Sequence, residues 1–93
     1  MDDLGPETVV SQSGDVISRE VNGQLVLLTP STGTVHELDE IGVQIWSLCA
    51  KPRSIESIAD RIVEEYDVEK EVAEEDITSF IGQMIEIGAV RKG

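Results

Sequence analysis

The chain has 93 residues, 40% of them hydrophobic, yet only Trp46, Tyr66 and Phe80 are aromatic. That is the length of one domain, with enough Ile, Val and Leu for a modest aliphatic core and too many for a disordered tail. Nineteen acidic residues against seven basic ones give a formal charge of −12. This argues against nucleic acid, whose binding depends on Lys and Arg releasing condensed counterions, and against anionic membrane surfaces.

Residues Met1 to Ser13 combine Gly, Pro, Ser and acidic side chains and read as a flexible N-terminal tail, with Val9-Val10 able to catch a sheet edge. The rest, 14–93, reads as a single domain. The N-terminus lacks the apolar stretch of a secretion signal, and no window is long enough to span a bilayer, so the expectation is a cytoplasmic protein.

Asp15 to Val21 alternates as a strand. Asn22-Gly23 then signals a tight hairpin, because both central residues of a type I′ turn need positive φ. Gln24 to Leu28 is the return strand, and its run Leu25-Val26-Leu27-Leu28 is apolar on both faces, as a central strand requires. Thr29 to Gly33 turns the chain into a third strand, Thr34-Val35-His36-Glu37-Leu38. The three form an antiparallel meander whose last strand has no evident partner, and such an edge is a template for another chain. An extended peptide could add to it as a further strand.

Asp39 is placed to cap a helix, and Leu38, Ile41, Ile45 and Leu48 recur at helical spacing. Gly42 within it costs about 1 kcal/mol relative to Ala, which suggests that a neighbouring backbone approaches closely. Lys51-Pro52 ends this helix, and Ser54 caps the next, with a stripe of Ile55, Ile58, Ala59, Ile62, Val63 and Tyr66. A third helix runs from about Glu69 to Ile87 and stops at Gly88. Stepping roughly 100° per residue, its apolar arc spans roughly 220°, wider than one packed face requires. Either two surfaces cover it or one flank is open as a groove. The flank holding Val72, Asp76, Phe80, Gln83 and Ile87 mixes polar and apolar side chains, as a groove wall does. The fold class is therefore α+β and winged-helix-like, a three-stranded antiparallel meander followed by three helices.

No catalyst can be assembled from these residues. His36 is the only histidine and Cys49 the only cysteine, so every metal site or nucleophilic dyad would pass through a mid-strand imidazole with no second ligand nearby. Cys49 falls in an apolar helical pattern, where a buried, inert thiol is the ordinary outcome. The acidic pairs lack the spacing of a calcium loop, and no Gly-rich phosphate loop is present. Leu38-Asp39-Glu40-Ile41 lacks the serine that an acyl carrier protein needs, and the third helix carries Lys70 alone against six acidic residues, unlike a DNA-reading recognition helix. The chain reads as a binding module, not an enzyme, with no metal or cofactor.

Three runs, VLLTPSTGTVHELDEIGVQIWSL, SIESIADRIVEEYDV and DITSFIGQMIEIGAV, occur in an order and spacing that resemble the PqqD-like family. That family includes the small protein of pyrroloquinoline quinone biosynthesis and the B1 proteins of lasso-peptide pathways. The resemblance covers roughly Val16 to Val90. Asp39 stands where Asn is common, and His36 where many relatives carry an aromatic. The resemblance implies a recognition element for a ribosomally made precursor peptide, whose leader segment would lie as an extra strand against the third strand, beside the third helix. It assigns peptide binding to Thr34, Val35, His36, Glu37 and Leu38, with Asp76, Phe80, Gln83 and Ile87 as groove residues. It also implies delivery to a maturation enzyme, a leader peptidase or a radical enzyme. The competing readings are a scaffold subunit that binds a folded protein and a degenerate winged-helix regulator.

Overall fold

The computed structural model describes residues 4–93. Two three-stranded antiparallel sheets flank three helices, in the order β1 (Val9–Gln12), β2 (Ile17–Val21), β3 (Gln24–Thr29), β4 (Thr34–Leu38), α1 (Glu40–Leu48), β5 (Arg53–Ser54), α2 (Ile55–Glu65), α3 (Lys70–Glu86) and β6 (Val90–Lys92). The meander read from the sequence is the sheet β2-β3-β4. Asn22 and Gly23 take φ of 53° and 81°, as the type I′ turn demands, and Val21 pairs with Gln24 across it.

The second sheet, ordered β5-β1-β6, corrects the reading of residues 1–13 as a flexible tail. Residues 1–3 lie outside the described residues, but Val9–Gln12 form the central strand of this sheet. The reason is burial and backbone pairing. Val10 is fully buried, and it pairs with Arg53 on one side and Lys92 on the other. The same segment satisfies helix ends that would otherwise be orphaned. Ile55 N–H donates to the Thr8 carbonyl and Glu56 N–H to that of Pro6 at the start of α2, while the Gln12 side chain donates to the Trp46 carbonyl at the end of α1.

The helix signals are realised as read. Asp39 accepts a 2.7 Å hydrogen bond from Gly42 N–H, and Ser54 Oγ accepts one of 3.1 Å from Ser57 N–H. At the end of α3, Gly88 takes φ of 84°. Ala89 N–H reaches the Met84 carbonyl and Gly88 N–H that of Ile85, the paired bonds of a Schellman stop.

The core is aliphatic, with Leu27, Ile55, Ile58, Ile77, Ile81 and Met84 all under 2% exposed. Trp46, 6% exposed, ties α1 into it. Strand β3 is apolar on both faces but buried on one. Leu27 faces the helices, whereas Leu28 is 37% exposed and lies in register with the exposed Ile17 and Val35, because none of the described elements covers that face of the meander.

Candidate peptide-binding groove

Register fixes which backbone groups of β4 are engaged. A two-residue hairpin closes on a hydrogen-bonded pair, and such pairs alternate along antiparallel strands. Val21 and Gln24 are the closing pair, so Gln24, Val26 and Leu28 direct their N–H and C=O groups to β2, and Leu25, Leu27 and Thr29 direct theirs to β4. The β4 partners of those three are Leu38, His36 and Thr34. Val35 and Glu37 therefore point their backbone groups away from the sheet, and β4 has no further strand beside it among the described residues.

The side chains alternate in the opposite sense. Leu38 is buried, Thr34 and His36 are half-buried towards the helices, and Val35 and Glu37 are exposed on the outer face, Val35 by 63%. His36 thus presents its imidazole on the face turned to the helices, while its backbone serves the meander.

Two contacts lay α3 along β4 in the opposite direction. At its C-terminal end, Thr32 Oγ1 in the β3–β4 turn donates to the Ile87 carbonyl at 3.0 Å. At its middle, Phe80 meets the start of α1, where a methyl group on Gly42 would lie 3.3 Å from Phe80 Cε1 and 3.4 Å from Leu38 Cβ. The glycine expected to admit a neighbouring backbone admits a phenyl ring instead, because the neighbours within reach of its Cα are side chains.

Between these contacts the wide apolar arc of α3 divides. Ala73, Ile77, Ile81 and Met84 are buried, and on one side Leu4 lies against Gly82, 3.8 Å from where its Cβ would be. On the other side Asp76 and Gln83 are exposed, while Phe80 and Ile87 are half-buried. These four share the flank nearest the β4 turn and the α1 start. The sequence-derived residues thus fall into two facing rows, a strand edge and a helix flank. Sequence reasoning did not find Thr32 as a positioning residue, nor Leu4 as the cover of the opposite flank.

The described residues hold no cluster of three or more His, Cys, Asp or Glu placed for a metal ion. Cys49 is fully buried, and burial pushes its thiol up to about 11 against a smaller opposing pull from Arg53, so the nucleophilic thiolate is scarce at neutral pH.

Residues 24–90 match the family described as coenzyme PQQ synthesis protein D (PqqD). The chain belongs to the PqqD family. The matched span covers the meander from β3 onward, all three helices and the start of β6, so both rows of the groove are PqqD-family structure. Among curated proteins no relative matches. Two solved structures are similar. One is described as TbiB1 in complex with the TbiA(beta) leader peptide, at 32% identity and a TM-score of 0.78, covering 87% of this chain and 94% of that one. The other is a lasso peptide synthetase B1 complexed with a leader peptide, at 22% identity and a TM-score of 0.77, covering 88% and 96%; at that identity the likeness speaks for the PqqD fold alone. No helix among the described residues is long and apolar enough to cross a membrane.

Proposed function

We propose that this protein is a non-catalytic, cytoplasmic recognition element that captures the leader segment of a ribosomally made precursor peptide and presents it to a maturation enzyme, a leader peptidase or a radical enzyme. The observation that carries this reading is the free edge of β4, with Val35 and Glu37 directed outward, lying beside the open flank of α3. An extended segment pairing there would gain main-chain hydrogen bonds with little regard for sequence, and the helix flank would select its side chains. Membership of the PqqD family supports the reading, as does the likeness, at 32% identity, to a protein whose structure contains a leader peptide.

In this account Thr34, His36 and Leu38 hold the strand in the meander, Val35 and Glu37 pair with the peptide, and Asp76, Phe80, Gln83 and Ile87 line its other side. A proline scan of β4 tests it. Val35→Pro or Glu37→Pro removes an outward donor and pushes a ring at the incoming strand, so each abolishes peptide capture while the circular dichroism spectrum stays native. His36→Pro removes a donor to β3 and damages the fold. Capture of a small ribosomal peptide from the native host by wild-type protein, undiminished by Glu37→Pro, would contradict strand addition.

A further inference from the structure

The α3 flank that carries Phe80 and Asp76 continues towards the helix start, and there the helices part. Beyond the Phe80–Gly42 contact lies a cavity of about 100 Å³ between α1, the end of α2 and the first half of α3. Its floor is Ile45, Ile62, Ala73 and Ile77, all buried. Its mouth is formed by Ile41, 43% exposed, together with Tyr66 and Asp76, and no basic side chain lines it. Asp76 belongs to both the groove and the cavity, so a chain leaving the β4 edge past Leu38 crosses this opening.

The mouth is electronegative. Tyr66 donates its hydroxyl proton to Glu40 Oε2 at 3.3 Å. Desolvation, then Glu40, with Glu65 and Asp39 behind it, holds the phenol above its ordinary value. The carboxylate of Asp76 adds to this field from α3. The apolar floor, in turn, is small. A cavity of about 150 Å³ is what a benzene molecule fills, so this one matches a branched aliphatic side chain better than an aromatic ring.

We propose that this cavity is a specificity subsite for the bound peptide, taking one Leu, Ile or Val placed just beyond the strand-paired segment at its Leu38 end, with a neighbouring Lys or Arg held by the acidic mouth. The proposal rests on the reading of β4 as the peptide edge. It assigns the cavity to a cationic–aliphatic pair, because an apolar floor under an acidic rim is complementary to both parts at once.

The test is selection of a displayed random peptide library on the immobilised protein, in wild-type form and as Asp76→Lys, Ala73→Val and Glu37→Pro. Wild-type protein should enrich peptides with an aliphatic residue beside a Lys or Arg at one fixed spacing from an extended segment. Asp76→Lys, at an exposed position, should keep the aliphatic preference and lose the basic one, and Ala73→Val should shift the aliphatic preference to smaller side chains. In a selected peptide, replacing the aliphatic residue by Ala should weaken binding about 10-fold or more. Peptides that need the β4 edge, being lost with Glu37→Pro, but show no such pair, or show an aromatic in its place, overturn the subsite and leave strand addition standing. Selection that survives Glu37→Pro, or that enriches nothing, overturns strand addition and the subsite with it.

Discussion

Trp46 and Cys49 sit one turn apart at the end of α1 and do different work. The Trp46 ring is 6% exposed, and its carbonyl receives the Gln12 side chain from β1 at 2.8 Å, so this residue joins the helix to both the core and the second sheet. Trp46→Ala should cost about 3–5 kcal/mol, the range for large aromatic truncations in cores, which in so small a domain approaches the whole stability. Chemical denaturation measures it, and a loss below about 1 kcal/mol would place the ring outside the core. Cys49 is held as a neutral thiol, with its pKa raised from an ordinary 9.0 to about 11. A raised folded-state value means that the contribution of the buried thiol is complete below pH 9.0, declines above it, and is lost as pH passes about 11. Native protein at pH 8 should therefore resist thiol reagents and react only as fast as it opens. Rapid stoichiometric labelling would show the thiol to be accessible.

The division of labour along α3 is a property of the element. Its buried row holds the helix in the core, so substitutions on the open flank should separate binding from folding. Phe80→Ala or Ile87→Ala should weaken peptide binding by about 1–3 kcal/mol, as for an interface anchor, with a smaller change in stability because both side chains are only half-buried. Isothermal titration alongside urea melts distinguishes the two effects, and equal losses in both would make these residues core rather than groove. The local signals along the chain were sufficient wherever an element is specified by its own residues. Asn22-Gly23 set the hairpin, Asp39 and Ser54 the helix starts, and Gly88 the last helix stop. Strand β1 was legible only as the pair Val9-Val10, and β5 and β6 were illegible, for the opposite reason. They have four, two and three residues, too few for an alternation to register, and they exist only because residues over forty positions apart meet. The wheel of α3 gave the width of its arc, but the open flank became identifiable only once Leu4 was seen against Gly82 on the other side.

At the scale of the whole molecule, the second sheet fastens the N-terminal segment, the start of α2 and the end of α3 together, and among the described residues it leaves the meander with one bare face, an unpaired β2 edge and, beside α3, the unpaired β4 edge. The formal charge of −12 surrounds that edge with a field that favours basic segments and slows the approach of acidic ones, an effect that salt screens. The central claim is that a peptide becomes the next strand of this sheet, and register makes it testable amide by amide. Hydrogen exchange should find the amides of Thr34, His36 and Leu38 protected in the free protein, and those of Val35 and Glu37 fast. Addition of the captured leader peptide should slow Val35 and Glu37 selectively. If those two stay fast in the saturated complex, while protection rises along the α2 helix instead, the peptide binds elsewhere and the strand-addition account is wrong.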